Sequence, residues 1–228
     1  MTAPFLNRED EQRRLHRAMN APGGALAVIY GRRRCGKSTL LQHVISSQDV
    51  YYLADQKEPA LQILDLAAEA DKAVPLFSSA GYATWDALLL NLNDRLDRRI
   101  SLCLDEFPYL AQLSPALPSI LQKYIDRPGT KNLNLVLCGS SQRMMHGLVL
   151  DRTAPLYGRA LEILKIEPLK AGWIRDGMGL KGDKAVEAYS VWGGVPRYWE
   201  LASPFDGLEE AIRELVLDRN GVLHEEPM

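Results

Sequence analysis

One stretch of sequence decides the fold, Ala25-Leu26-Ala27-Val28-Ile29-Tyr30-Gly31-Arg32-Arg33-Arg34-Cys35-Gly36-Lys37-Ser38-Thr39. Its apolar run ends at Gly31, and Gly36-Lys37-Ser38 follows after four intervening residues, which gives the pattern G-x-x-x-x-G-K-[ST] between a strand and a helix. Glycines let successive backbone N–H groups converge on phosphate oxygens, and the start of the helix adds further unpaired N–H groups. The stretch therefore predicts a site for a nucleoside triphosphate.

The side chains of this phosphate loop have separate predicted tasks. Lys37 is suited to neutralising the β- and γ-phosphates, and the Ser38 hydroxyl is suited to binding Mg²⁺. The basic run at residues 32–34 is better explained as a solvated face of the loop than as a DNA contact. The alternative for the whole stretch is a glycine-rich turn that merely joins a strand to a helix. The predicted nucleotide contacts are Gly31, Arg32, Arg33, Arg34, Cys35, Gly36, Lys37, Ser38 and Thr39.

Composition excludes several classes of protein. The 228 residues are 46% hydrophobic and carry a formal net charge of −2, which is not the basic balance of a general nucleic-acid binder. The three cysteines form no C-x-x-C pair and the four histidines are scattered, so a zinc site is not expected. The sequence has neither a long apolar run nor a signal-peptide pattern, so we expect a cytoplasmic protein without a membrane partner.

Strands and helices alternate along most of the chain. This order predicts right-handed crossovers and a parallel sheet with helices on both sides. Asn7 is the predicted N-cap of the first helix, and Thr84 is the predicted N-cap of an amphipathic helix whose apolar face begins at Trp85. Another helix is predicted over residues 59–70. The predicted strands are residues 25–30, 50–54, 100–104, 133–138 and 161–166.

The pattern changes after Pro168. Short helical segments separated by glycines replace the alternation, and no further strand is predicted. We therefore expect an α/β core over residues 1–168 and a small, lid-like helical subdomain over residues 169–228.

An acid pair follows the third predicted strand. Asp105 comes at the carboxyl end of a buried apolar run, where ligands bind in open α/β sheets, and Glu106 follows it. We expect Asp105 to hold Mg²⁺ directly or through water, and Glu106 to polarise the attacking water. A helix-capping or solvated acid pair is the competing explanation.

Three further positions have open assignments. Ser140 and Ser141 end the fourth strand, where one hydroxyl could contact the γ-phosphate or the water and the other could cap a helix. Arg159 precedes the fifth strand and could stabilise the γ-phosphate, from its own subunit or from a neighbour's, or be an ordinary surface arginine. Turn chemistry alone explains Gly193-Gly194-Val195-Pro196.

In these segments the chain resembles archaeal-type P-loop ATPases, which are related to AAA+ proteins and to signal-transduction ATPases with numerous domains (STAND). The segments that carry the resemblance occur in the family's order. Besides the phosphate loop they are Phe5-Leu6-Asn7-Arg8-Glu9, Leu104-Asp105-Glu106-Phe107-Pro108-Tyr109-Leu110, Leu137-Cys138-Gly139-Ser140-Ser141, Pro155-Leu156-Tyr157-Gly158-Arg159, Pro168-Leu169 and Gly193-Gly194-Val195-Pro196.

The resemblance implies a P-loop NTPase sandwich with a five-stranded parallel sheet in the order 5-1-4-3-2, with one strand between those of Gly31 and Asp105. It implies Walker A at residues 31–38, Walker B at Asp105 and Glu106, and sensor-like roles near Ser140 and Arg159. It also makes Arg8 and Pro196 candidates for contact with the nucleotide base. Relatives usually continue into a winged-helix and effector region, so DNA or protein partners are expected through a region outside this chain.

Three functions remain open from the sequence. The first is a regulatory ATPase module of the AAA+/STAND-like type that binds ATP or ADP with Mg²⁺ and self-associates. The second is a non-catalytic, nucleotide-dependent adaptor or DNA-associated switch. The third is a small-molecule kinase, which the acid pair disfavours because a water-activating carboxylate suits hydrolysis better than transfer to an acceptor. The predicted catalytic residues are Lys37, Asp105, Glu106, Ser140 and Arg159, and Ser38 and Asp105 are the predicted metal ligands.

Overall fold

The computed structural model describes residues 5–22, 24–129 and 131–226. The chain forms two compact units. The first, here called the sheet unit, comprises Glu9–Gly31 and Lys37–Lys165. The second, the helical unit, comprises the described parts of Met1–Arg8, Arg32–Gly36 and Ile166–Met228. The predicted division into residues 1–168 and 169–228 stays a prediction.

The sheet unit alternates strands with helices, as the sequence predicted. Its strands are β1 (Leu26–Gly31), β2 (Val50–Leu53), β3 (Ile100–Asp105), β4 (Leu133–Gly139) and β5 (Ala160–Ile166). Its helices are α1 (Glu9–Met19), α2 (Lys37–Val44), α3 (Pro59–Ala70), α4 (Trp85–Arg95), α5 (Phe107–Leu113), α6 (Leu117–Asp126) and α7 (Gln142–Met145). A 3-10 turn covers Ser78–Ala80, and a π-helical turn covers His146–Leu150.

The sheet is parallel and has the order β2-β3-β4-β1-β5, so the predicted order 5-1-4-3-2 is confirmed. One strand, β4, separates the strand of Gly31 from the strand of Asp105. Because the strands of a parallel sheet point the same way, the carboxyl ends of β1, β3 and β4 lie together at one edge. We call it the carboxyl edge, and the opposite one the amino edge.

The core lies between the sheet and its helices. Side chains alternate between the faces of a strand, so Leu102 and Leu104 belong to the large core cluster with α3 to α6, whereas Ser101, Cys103 and Asp105 point to the other face. Every residue of β3 and β4 is buried, as expected for central strands covered on both sides.

Local predictions were accurate where tertiary contacts agree with them. Helix α3 has the predicted bounds, and Thr84 caps α4 by accepting a hydrogen bond from the Ala87 N–H. The predicted N-cap at Asn7 is wrong, because α1 begins at Glu9 and Asn7 has a φ of 59°. Helix α5 was not predicted, since its seven residues are too few to show a helical period.

The helical unit contains only helices beyond Ile166 among the residues that the structure describes. These are a 3-10 turn (Ala171–Trp173), α8 (Ile174–Met178), α9 (Asp183–Trp192), α10 (Pro196–Ala202), α11 (Leu208–Ile212) and a π-helical turn (Arg213–Leu217). A Cβ on Gly194 would lie 1.8 Å from the Leu169 carbonyl oxygen, and the Leu169 N–H donates to the Gly194 carbonyl at 2.7 Å. Close backbone packing therefore explains why glycine is needed at residue 194.

Candidate functional site

The phosphate loop leaves β1 at Gly31 and enters α2 at Lys37. Gly36 has a φ of +85°, and no heavy atom lies within 4 Å of a Cβ built there. Glycine at residue 36 is therefore required by backbone conformation rather than by space. Arg34 also has a positive φ, of 65°, which is unfavourable for a residue with a side chain.

Lys37 belongs to the first turn of α2 and is only 6% exposed. Its Nζ donates a hydrogen bond to the Gly31 carbonyl at 3.0 Å. The ammonium group is thus held at the carbonyl of the residue where the loop begins. An anion bound by the loop amides would meet its positive charge there. Ser38, the next residue, is half-buried, and Thr39 is exposed.

The acid pair lies at the end of β3. Asp105 is 1% exposed, and its Oδ1 accepts a hydrogen bond from the Glu106 N–H at 2.9 Å. Glu106 has φ 53° and ψ 41°, a left-handed conformation that costs a residue with a side chain roughly 1–2 kcal/mol. This conformation turns the chain sharply between β3 and α5, so the two carboxylates leave the backbone in different directions.

Ser140 holds the second carboxylate. Glu106 Oε2 accepts hydrogen bonds from the Ser140 N–H at 3.2 Å and from the Ser140 hydroxyl at 3.0 Å. The adjacent Ser141 caps α7 by accepting from the Met144 N–H. Ser141 is therefore the helix cap and Ser140 contacts Glu106, while a contact of Ser140 with the γ-phosphate or the water stays a prediction.

The pKa of the Cys138 thiol is influenced by three of the predicted site residues, Lys37, Asp105 and Glu106. Burial raises the pKa of Cys138 well above its usual value, and Asp105 adds to the effect through its charge and a hydrogen bond. The Lys37 charge lowers the same pKa and the Glu106 charge raises it. β4, which carries Cys138, lies between β1 and β3, so these influences come from residues at the ends of both neighbouring strands.

Sequence reasoning missed Tyr51, which lies on β2. Its hydroxyl donates a hydrogen bond to Asp105 Oδ2 at 2.7 Å. Burial raises the pKa of Tyr51, and the charge of Asp105 and this hydrogen bond raise it further, so the phenol stays protonated. The alternation of side chains along a strand could have revealed it. Tyr52 and Leu104 face the core cluster, so their neighbours Tyr51 and Asp105 both face the other side of the sheet.

Arg159 is not brought together with these residues. It directly precedes β5 and therefore lies at the amino edge of the sheet. There it pairs with Asp126, the last residue of α6, with Nε 2.9 Å from Oδ1 and Nη2 2.7 Å from Oδ2. Hydrogen bonds from Arg159 are the main reason that the pKa of Asp126 is lowered.

Arg8 and Pro196 belong to the helical unit. Arg8 is 6% exposed, and its Nη2 donates to the carbonyls of Glu167 at 2.5 Å and of Cys35 at 3.4 Å. It therefore links the backbone of the phosphate loop at Cys35 to the backbone at Glu167. Pro196 is the first residue of α10, where its missing N–H costs no helical hydrogen bond.

A second contact in the helical unit also involves the loop. Arg34 forms an ion pair with Glu226 Oε2, and Glu226 Oε1 accepts a hydrogen bond from the Tyr198 hydroxyl at 2.8 Å. Arg32, Arg33 and Arg34 are exposed, and the prediction that they form a solvated face of the loop stays a prediction.

The residues present fit a magnesium–nucleotide better than a protein-caged metal. No group of three or more His, Cys, Asp or Glu side chains that could hold a metal ion occurs in residues 5–22, 24–129 and 131–226. One carboxylate, Asp105, and one hydroxyl, Ser38, are instead the type of set that binds Mg²⁺ when substrate phosphates and waters complete its coordination. No described helix is both long and apolar enough to cross a membrane.

Residues 5–201 match the family described as an ATPase domain predominantly from Archaea. The chain belongs to this family. It is also 31% identical over 217 residues to the Methanocaldococcus jannaschii protein MJECL04, a match that covers 92% of this chain and 47% of that protein. The chain thus spans about half the length of the curated relative it matches.

Solved structures share the fold of this ATPase domain. The Walker-type ATPase PABY2304 of Pyrococcus abyssi is 20% identical, with a TM-score of 0.64 over 87% of this chain and 67% of that chain. The Aeropyrum pernix ORC1 protein in complex with DNA is 18% identical, with a TM-score of 0.60 over 87% of this chain and 59% of that one. A STAND protein with a tetratricopeptide repeat sensor, PH0952 of Pyrococcus horikoshii, is 13% identical, with a TM-score of 0.64 over 94% and 34%. At these identities the likeness concerns the fold.

Proposed function

We propose that this ATPase domain binds ATP with Mg²⁺, hydrolyses it, and acts as a regulatory module of the AAA+/STAND-like type. The observation that carries the proposal is the arrangement of side chains at the carboxyl edge: Lys37 bonds to the Gly31 carbonyl at the end of β1, and Asp105 and Glu106 follow each other at the end of β3. A phosphate loop, a cation and two acids at the carboxyl edge are the parts that phosphoryl transfer to water requires.

Lys37 and the loop amides bind the β- and γ-phosphates in this proposal. Ser38 and Asp105 would hold Mg²⁺, which would supply positive charge to the transferred group. Glu106 orients the attacking water, and Ser140 fixes the direction of the Glu106 carboxylate through the two hydrogen bonds to Oε2. A held carboxylate suits this task because the catalysis depends mainly on positioning.

The regulatory part of the proposal rests on the helical unit. Residues Arg32–Gly36 of the phosphate loop belong to this unit, and Arg8 links the Cys35 carbonyl to that of Glu167. A bound triphosphate would fix the loop and, through Arg8, the chain at Glu167, two residues before the proposed lid-like subdomain of residues 169–228. ATP and ADP states would then differ in the order of this subdomain.

Arg159 contributes only across an interface in this proposal. Its own chain places it at the amino edge, paired with Asp126, so self-association is needed before it can reach a γ-phosphate. Protein or DNA partners are proposed to act through a region outside this chain, as the greater length of MJECL04 allows. We propose a cytoplasmic location.

A non-catalytic, nucleotide-dependent adaptor is the second candidate. The contact between Glu106 and Ser140 favours it in one respect, because a carboxylate oxygen held by protein donors is not holding a water. Turnover separates the two candidates.

The test combines nucleotide binding by calorimetry with phosphate release at several protein concentrations. We expect Glu106→Gln to bind ATP–Mg²⁺ with a Kd within about threefold of the wild type, and to lose about 100-fold or more in turnover, since an activating carboxylate contributes on that scale. The control is Glu69→Gln, which replaces an acid on α3 that pairs with Lys72 and has a side chain 45% exposed.

Each outcome has a separate meaning. A steep rise in turnover per subunit with protein concentration supports a site completed by a neighbour. Binding without turnover at any concentration, with and without DNA, favours the adaptor. Transfer of phosphate to an added acceptor instead of water would favour a kinase. Absence of ATP binding by the wild type would overturn the proposal.

A further inference from the structure

We propose that Tyr51 is a positioning residue that aligns the Asp105 carboxylate for Mg²⁺, so that it controls how strongly Mg²⁺ promotes nucleotide binding. The inference rests on the proposed function, and it assigns a task to a residue that belongs neither to the phosphate loop nor to the acid pair.

The strand register brings Tyr51 to Asp105. β2 pairs with β3 in parallel, with Tyr51 beside Cys103 and Leu53 beside Asp105. Side chains two residues apart share one face of a strand, so Tyr51, Cys103 and Asp105 lie on the same face. The long tyrosine side chain reaches the diagonal neighbour, and its hydroxyl lies 2.7 Å from Asp105 Oδ2.

The Asp105 carboxylate is held at both oxygens. Oδ1 accepts from the Glu106 N–H at 2.9 Å, and Oδ2 accepts from the Tyr51 hydroxyl. A 1% exposed carboxylate has little water to replace a lost donor. Removal of the Tyr51 hydroxyl therefore leaves one oxygen of a buried charge without this donor and lets the carboxylate plane turn about its last side-chain bond.

The adjacent Tyr52 provides a matched control. It lies on the opposite face of β2, it is 4% exposed, and it belongs to the core cluster. Tyr51→Phe and Tyr52→Phe remove the same atom from neighbouring residues of one strand. A purely structural effect of losing a phenol hydroxyl from β2 would appear in both variants.

The experiment measures ATP affinity by calorimetry in excess Mg²⁺ and in EDTA, for the wild type and both variants. We expect Tyr51→Phe to lose about tenfold in affinity with Mg²⁺, the scale of one hydrogen bond to a charged group, and to stay within about twofold of the wild type in EDTA. Tyr52→Phe should match the wild type in both conditions. Thermal unfolding without nucleotide checks that each variant folds.

A second variant tests whether the tyrosine acts through Asp105. If it does, the losses with Mg²⁺ in Asp105→Asn and in Tyr51→Phe will not add in the double variant. Equal Mg²⁺ dependence in Tyr51→Phe and the wild type, or equal losses with Mg²⁺ and in EDTA, would overturn this inference while leaving ATP binding intact. Absence of ATP binding by the wild type is a different result, which overturns the proposed function and this inference together.

Discussion

The two edges of one sheet both carry buried polar side chains, but they use them differently. At the amino edge, Asn134 donates to the carbonyls of Met19 and Ala21 and accepts from the Ala25 N–H. Its bonds go to main-chain groups and fix the path of the chain between α1 and β1. At the carboxyl edge, the buried polar groups hold one another, as Tyr51 holds Asp105 and Ser140 holds Glu106.

The charges at the two edges differ in the same way. At the amino half of β5, the buried Glu162 is paired with both Arg14 and Arg17, so its charge is compensated within the protein. At the carboxyl edge, two acids lie on successive residues in a strained left-handed turn at Glu106. Strain and adjacent like charges are costly for folding, and they are typical of sites that are organised for a ligand. We infer that the amino edge stabilises the fold and the carboxyl edge serves function.

The sharpest test of this contrast is Lys37→Ala. We expect the variant to lose more than about 100-fold in ATP affinity, equivalent to about 3 kcal/mol, because the phosphates lose their cation. Its free energy of unfolding should stay close to that of the wild type. Calorimetry and urea unfolding measure the two quantities, and Lys123→Ala, an exposed lysine on α6, is the control. A large loss of stability with unchanged affinity would reverse the contrast.

Asn134→Leu is the matching change at the amino edge. It should lower the free energy of unfolding by about 2–3 kcal/mol, because buried main-chain groups at Met19 and Ala25 lose a partner. ATP affinity of the folded variant should not change. Asn91→Leu, on the exposed side of α4, is the control for urea unfolding. Loss of affinity in excess of loss of stability would show that the amino edge also takes part in function.

The smallest expected effect is a pH dependence at Glu162. Burial by itself raises the pKa of Glu162, but hydrogen bonds from Arg17 and Arg14 outweigh it, and the net pKa lies below the ordinary value. A lowered folded pKa means that the stabilisation is complete above the unfolded pKa, about 4.3, and is lost as the pH falls through the folded value.

Urea unfolding of the wild type and Glu162→Gln between pH 7 and pH 3 measures this effect. We expect the wild type to be the more stable at neutral pH and the difference to shrink below about pH 4.3. The control Glu69→Gln should follow the wild-type profile. A difference that stays constant down to pH 3 would contradict the ion-pair explanation.

Much of the fold could be predicted from local sequence. The apolar runs of β3 and β4 and the Thr84 cap of α4 are local signals, and the structure agrees with them. The prediction at Asn7 failed because a capping residue type is not sufficient: the chain there turns with positive φ at Asn7 and Arg8, and α1 begins only at Glu9.

The site could be predicted only in part. The residues of the phosphate loop and the acid pair stand in fixed spacings, so the sequence reveals them. Tyr51 and Asp105 are 54 positions apart, and Glu106 and Ser140 are 34 apart, so their contacts depend on strand order and register. Arg159 is the opposite case: its residue type suits the predicted chemistry, but the strand order places it at the amino edge, paired with Asp126.

The sequence alone determined that this chain has a phosphate loop, a following acid pair and alternating strands and helices, because each of these is encoded within a few neighbouring residues. The tertiary structure decided which side chains hold the two acids, that Ser140 and Ser141 have different partners, and that Arg159 lies away from its own loop. The physical reason is that parallel strands bring together residues from distant parts of the chain, and only their register determines which of them meet.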